Sequence, residues 1–205
     1  MNVREVMSAT KVIPVLAFKG VDEAVEVCGA LVEGGIPVLE ITLRHPTALD
    51  ALEAVSKALP QAIVGAGTVM TPAQAEQARA AGARFGVSPG LTPTLAEAVQ
   101  AADWPFLPGV SSVSEAMRAT EWGFDALKFF PASASGGASF LSAVGAVLPQ
   151  VLFCPTGGVK PDNAADYLAL PNVPCVGGSW LTKRDADGRI DPAVVTDRAR
   201  AAGQL

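Results

Sequence analysis

Six lysines are spread through the chain, and only Lys128 stands mid-run among large apolar neighbours, in Ala126-Leu127-Lys128-Phe129-Phe130. A lysine is almost never fully buried unless something pairs with it. An ammonium stripped of water gives up its proton more readily, which yields the neutral amine that attack on a carbonyl requires. Lys19 and Lys160 also follow strand-like runs, but at loop positions that read as exposed. An acid for that amine lies in Val38-Leu39-Glu40-Ile41-Thr42-Leu43-Arg44, where Leu39, Ile41 and Leu43 form an apolar face and Glu40, Thr42 and Arg44 the opposite one. A plain structural ion pair between Lys128 and Glu40 is the competing reading of the same residues.

Two threonines close their runs, Thr68 after Gly65-Ala66-Gly67 and Thr156 after Cys154-Pro155, on what should be the same face as Glu40. Either hydroxyl could orient a bound carboxylate or carbonyl. Thr156-Gly157-Gly158 and Gly177-Gly178-Ser179-Trp180 are glycine-rich turns whose backbone N–H groups could cradle a phosphate. The plainer alternative is that these glycines only tighten short loops.

These residues need elements to carry them. Short β-branched runs (Val12–Phe18, Val38–Leu43, Ala62–Val69, Arg84–Ser88, Phe106–Val110, Ala126–Phe130, Val151–Thr156, Val173–Gly177) alternate with alanine-rich segments of helical period. The helical segments are Val21–Glu33, Thr47–Leu59, Pro72–Ala81, Pro93–Ala102, Val113–Trp122, Ala138–Leu148, Pro161–Leu170 and Asp191–Ala202. Pro46, Pro72, Pro93 and Pro161 are expected in first turns, and Gly34, Gly82 and Gly123 where helices stop. Eight strand–helix repeats with no break in composition predict one α/β domain over residues 1–205, a (β/α)8 TIM barrel. An open doubly wound sheet would carry a dinucleotide fingerprint after its first strand, and Lys19-Gly20-Val21-Asp22 is not one. In a barrel, one parity of each strand points inward and chemistry sits at the carboxyl ends, with phosphate often held after strands seven and eight.

Composition narrows the field. The chain has 205 residues, 50% hydrophobic and 17% charged, with a formal net charge of -5, which speaks for a sizeable core and against a nucleic-acid partner. No apolar run approaches the roughly 18 residues of a membrane span, and Met1 to Thr10 lacks the apolar stretch of a signal peptide. A soluble cytoplasmic protein is expected. Cys28, Cys154 and Cys175 stand far apart and read as buried small hydrophobes. The single histidine, His45, leaves little for a zinc site or a histidine-based triad, and its place before Pro46 fits a helix entry better than catalysis.

Together the inward set suits Schiff-base chemistry on a phosphorylated 2-oxo acid. Lys128 would attack the 2-oxo carbon, Glu40 would shuttle protons and take that of the C4 hydroxyl, and Arg44 could bind the 1-carboxylate bidentately.

The motifs that carry these residues resemble those of the 2-keto-3-deoxy-6-phosphogluconate (KDPG) and 4-hydroxy-2-oxoglutarate (KHG) aldolases. They are Val38–Arg44, Val64–Val69, Ser88-Pro89-Gly90, Leu127–Ala132, Phe153–Gly158 and Gly177–Leu181, in order and with suitable gaps. The resemblance implies a class I aldolase on a TIM barrel, with no metal and no cofactor, assembled as a homotrimer. It implies Lys128 as the Schiff-base residue and Glu40 as the acid/base. Arg44, Thr68 and Lys128 would bind pyruvate, with Pro89 and Phe130 lining the pocket, and Thr156, Gly157, Gly158, Gly178 and Ser179 would surround the phosphate. Two pairs depart from the pattern, His45-Pro46 and Ala132-Ser133; both bear on the aldehyde acceptor rather than on the bond-breaking chemistry. Three other readings stay open: an aldolase for the galactonate epimer, a phosphosugar isomerase or synthase with no covalent step, and a phosphometabolite sensor without turnover.

Overall fold

Parallel strands that are buried on both faces need helices outside and side chains filling the centre, and the alternation of the sequence supplies both. The computed structural model describes residues 1–205. Its strands are β1 (Val12–Leu16), β2 (Val38–Thr42), β3 (Ile63–Gly67), β4 (Phe85–Val87), β5 (Phe106–Leu107), β6 (Gly109–Val110), β7 (Ala126–Phe129), β8 (Leu152–Pro155) and β9 (Val176–Gly178). The order β5-β4-β3-β2-β1-β9 is hydrogen-bonded in one run and β6-β7-β8 in another. Only Pro108 separates β5 from β6, and a parallel bridge between Thr156 and Gly177 joins β8 to β9, so the ring is a (β/α)8 barrel.

The helices are α1 (Val3–Ser8), α2 (Val21–Glu33), α3 (Ala48–Ala58), α4 (Pro72–Ala80), α5 (Pro93–Ala101), α6 (Val113–Glu121), α7 (Gly137–Val147), α8 (Ala164–Leu168) and α9 (Pro192–Ala202). Their starts are written locally: Thr71, Thr92, Ser112 and Asp191 accept from backbone N–H groups of the first turn, each cap worth about 1 kcal/mol. Pro72 and Pro93 stand in first turns as expected, but Pro46 precedes the N-cap Thr47 and Pro161 lies in the turn before α8. Gly34 caps α2, while Gly82 and Gly123 follow α4 and α6 with positive φ. No helix is long and apolar enough to cross a membrane.

The core has two compartments. Between strands and helices lies a large cluster that includes Leu39, Ile41, Val64, Leu127, Phe129 and Phe153. Inside the ring lies a smaller one of Ile13, Val38, Phe85, Val87, Leu107, Ala126, Cys154 and Cys175, closed by Val6 and Met7 of α1. The short helix α1, which no hydrophobic period in residues 1–10 announces, is therefore the plug of the barrel's amino-terminal end. All three cysteines are buried and unpaired by disulfides. Burial alone raises the Cys28 thiol far above its ordinary range.

Candidate active site

Two residues further along each inward row, the apolar filling gives way to polar groups. Val38 is followed by Glu40 and Thr42, Ala126 by Lys128, and Cys154 by Thr156, all buried. Glu40 is 2% exposed and Lys128 6%. The Lys128 ammonium donates to Glu40 Oε1 at 3.4 Å, across the barrel interior from β7 to β2. Gly67 makes this contact possible, because a Cβ there would collide with the Glu40 carboxyl. Lys128 is pinned at the backbone as well: its N–H donates to Pro108 O at 2.9 Å, and its register partners are Gly109 and Cys154. Two opposite charges out of water are poor evidence of stabilisation, since apolar packing of the same volume usually does as well. Their placement is better explained by chemistry.

Thr42 joins this layer to its rim. Its hydroxyl donates to Leu16 O at 2.6 Å and accepts from Arg44 Nε at 3.1 Å, so it aims a guanidinium that is otherwise exposed. The alternation of β2 puts Thr42 on the inward face, and that parity is the only sign of its role in the sequence. Phe130 shares the inward parity of Lys128, and its ring centroid lies 5.3 Å from the ammonium. The same ring packs on Gly157, where a Cβ would sit 3.2 Å from it. Pro89 backs onto Gly109, the register neighbour of Lys128; a Cβ on Gly109 would collide with the Pro89 carbonyl.

Thr68 is the one site residue whose expected parity fails. Gly65 and Gly67 face inward, against Phe85 and Glu40, so simple alternation puts Thr68 on the helix side. Its φ of 59° breaks the alternation at that residue. A β-branched residue in the left-handed region is a strained outlier of the kind that clusters at functional sites.

The cradle stands beside this centre. Gly157 and Gly158 both have positive φ, 95° and 79°, which other residues adopt only with strain. Thr156 is buried against Gly177, leaving no room there for a side chain. Gly178 lies under the Trp180 ring, and Ser179 precedes the short 3-10 helix Trp180–Thr182. The loop after β7 is stitched to this turn by Ala132 N to Thr156 O at 2.8 Å and Ser133 N to Gly157 O at 3.0 Å. Ser133 thus belongs to the cradle's edge rather than to the Lys128 centre. His45 is exposed at the entry of α3, its Nδ1 2.9 Å from Thr47 Oγ1, as a helix-entry residue would be.

Beyond the 3-10 helix, Arg184 grips Glu23 of α2 with both guanidinium nitrogens, at 2.6 and 2.8 Å. Hydrogen bonding from Arg184 is the main cause that holds the Glu23 carboxyl below the usual carboxylate range. This pair ties the loop after β9 to the first turn of α2, where Lys19 N of the preceding loop also donates to Glu23.

An eight-stranded barrel that buries an amine against a carboxylate, beside a glycine-turn cradle, has the build of a barrel enzyme working at the carboxyl ends of its strands. The chain belongs to the KDPG and KHG aldolase family, whose model matches residues 3–196. It is 46% identical to the KHG/KDPG aldolase of Escherichia coli K12, over 98% of this chain and 94% of the relative. A KDPG aldolase structure from Legionella pneumophila, with pyruvate captured as a covalent carbinolamine, superposes with a TM-score of 0.96 at 45% identity, covering 99% and 98% of the two chains. The KDPG aldolase of Zymomonas mobilis with 3-phosphoglycerate gives 0.93 at 43% identity, over 98% and 94%. This chain is accordingly a Schiff-base aldolase, a carbon–carbon lyase.

Proposed function

We propose that the enzyme cleaves 2-dehydro-3-deoxy-6-phosphogluconate to pyruvate and glyceraldehyde 3-phosphate, and 4-hydroxy-2-oxoglutarate to pyruvate and glyoxylate. The observation that carries this reading is the Lys128–Glu40 pair, buried at 3.4 Å at the carboxyl end of the barrel. Lys128 passes its ammonium proton to Glu40, and the neutral Nζ adds to the 2-oxo carbon. Glu40 returns the proton to the carbinolamine hydroxyl, which leaves as water to give a protonated imine. Glu40 takes the proton of the C4 hydroxyl as the C3–C4 bond breaks, and the imine accepts the electron pair to become an enamine. Release of the aldehyde, protonation of C3 and hydrolysis then free pyruvate and the amine.

Arg44, aimed by Thr42, binds the carboxylate next to the imine, with Thr68 as hydroxyl donor and Pro89 and Phe130 as walls. Thr156, Gly157, Gly158, Gly178 and Ser179 hold the distal phosphate through hydroxyls and backbone N–H groups. A relative named for both substrates supports activity on both, and gluconate names at 43% and 45% identity, against 29% for a KDPGal structure, support that epimer over the galactonate one. A cytoplasmic homotrimer is part of the same reading. Steady-state cleavage of the gluconate compound, its galactonate epimer and 4-hydroxy-2-oxoglutarate tests it, with the first expected to have the highest kcat/KM. Glu40→Gln is expected to lower kcat by about 10²–10⁴-fold, the scale of losing a general acid/base. Preference for the galactonate epimer, or no cleavage of any of the three, would overturn the assignment.

A further inference from the structure

A cleft of about 930 Å³ adjoins the cradle, lined by Gly158 to Asp162, Ser179, Trp180, Lys183 and Arg198. Three cations face it, Lys160, Lys183 and Arg198, against one carboxylate, Asp162, in a chain whose formal net charge is -5. None of the three is ion-paired, not even to Asp162. Their backbone positions are fixed by the turns that carry the cradle. Lys160 lies two residues after Gly158, and its N–H donates to Asn163 Oδ1 at 2.8 Å, while Asn163 Nδ2 donates to Gly158 O at 3.1 Å. Lys183 caps the 3-10 helix that begins after Ser179. Arg198, from α9, donates to Lys183 O at 3.2 Å and to Leu181 O at 3.4 Å, holding that turn in place.

Unpaired like charges brought to one cleft repel one another unless an anion enters, and a concave wall concentrates their field. Backbone N–H groups can bind a phosphate without side-chain charge, so these cations add something the cradle lacks: long-range attraction and discrimination by charge. We propose that Lys160 and Lys183 are specificity-determining residues that select the phosphorylated form of the substrate, with Arg198 as the positioning residue that holds the Lys183 turn. The two lysines neutralise the phosphate dianion from the solvent side while the glycine turns hold it from the barrel side. This rests on the aldolase reading above, in which the distal phosphate lies in the glycine cradle.

The test uses Lys160→Gln, Lys183→Gln and the double variant, all exposed positions whose change leaves the barrel intact. Isothermal calorimetry with 3-phosphoglycerate should show the double variant binding about tenfold more weakly than the unmodified enzyme, with less dependence on salt. In turnover, KM for 2-dehydro-3-deoxy-6-phosphogluconate should rise by a similar factor with kcat little changed. KM for the unphosphorylated 2-dehydro-3-deoxygluconate should stay where it was. Lys183→Arg, which keeps the charge, should restore most of the affinity. Unchanged phosphoglycerate affinity and unchanged KM in the double variant would overturn the inference while leaving the aldolase reading intact. Failure of the unmodified enzyme to cleave the phosphorylated substrate would overturn that reading, and the inference with it.

Discussion

The barrel interior has two storeys built from the same strands, and they obey opposite rules. Near the amino ends, Ile13, Val38, Phe85, Ala126, Cys154 and Cys175 fill the ring and Val6 and Met7 of α1 close it. Two residues later, the same rows present Glu40, Lys128 and Thr156. Burial is nearly complete in both, so exposure does not distinguish them; chemistry does. The lower storey gains stability by removing apolar surface from water, about 1.5–3 kcal/mol for a large side chain. The upper storey gives some of that up to hold an amine and a carboxylate face to face. Changes below should therefore be felt in stability alone, and changes above in rate as well.

Lys128→Met should produce the largest effect. It replaces the amine by an apolar chain of similar volume, so turnover is expected to fall by roughly 10⁴-fold or more, the scale of losing a covalent nucleophile. Because it leaves the Glu40 carboxylate buried without a partner, at a cost of about 3–5 kcal/mol, thermal unfolding should place its stability well below that of the double variant Lys128→Met/Glu40→Leu, in which both charges are replaced by apolar chains. Equal stability of the two variants would blur the contrast between storeys.

Phe85→Ala sharpens it from the other side. Chemical denaturation should show a loss of about 3–5 kcal/mol, while kcat of the folded fraction stays within a few-fold of the unmodified enzyme. A collapse of kcat with stability preserved would mean that the lower storey serves the chemistry directly.

The smallest effect is expected outside the barrel, at Glu23. Because Arg184 holds this carboxyl below its unfolded value, the pair contributes stability that is full above the usual glutamate range, about 4.3. That contribution is lost as pH falls through the lowered folded value. Glu23→Gln should lower stability near neutrality by about 1 kcal/mol or less and flatten the acid limb of a stability–pH profile. An unchanged acid limb would show that the pair carries none of it.

Much of this division was legible in the residues. The alternation of Val38 to Arg44 puts Glu40 and Thr42 on one face, and an isolated lysine among aromatic neighbours at 128 marks the other half of the pair; both follow from the two-residue period of a strand. The helices are bounded close to where threonine, serine and proline punctuate them, because capping is a local interaction. What escaped was what local pattern does not encode. Helix α1 is six residues long, and although Asn2 and Glu5 form a capping box, so short a helix is held by the barrel end it plugs. The fifth strand breaks at Pro108, a residue that lacks a ladder donor and was a visible warning. The left-handed backbone at Thr68 has no counterpart in its residue type, since a β-branched side chain argues against it. Lys160 and Lys183 belong to loops on successive strands, and only ring closure through Thr156 and Gly177 brings them to one cleft.

Everything in the upper storey turns on which nitrogen bonds to the keto carbon. Incubating the enzyme with pyruvate and borohydride, then mapping the reduced adduct by peptide mass spectrometry, reads this directly. A single adduct on Lys128, lost in Lys128→Met, is the expected result. No adduct, or one carried by Lys160, Lys183 or another exposed lysine, would contradict it.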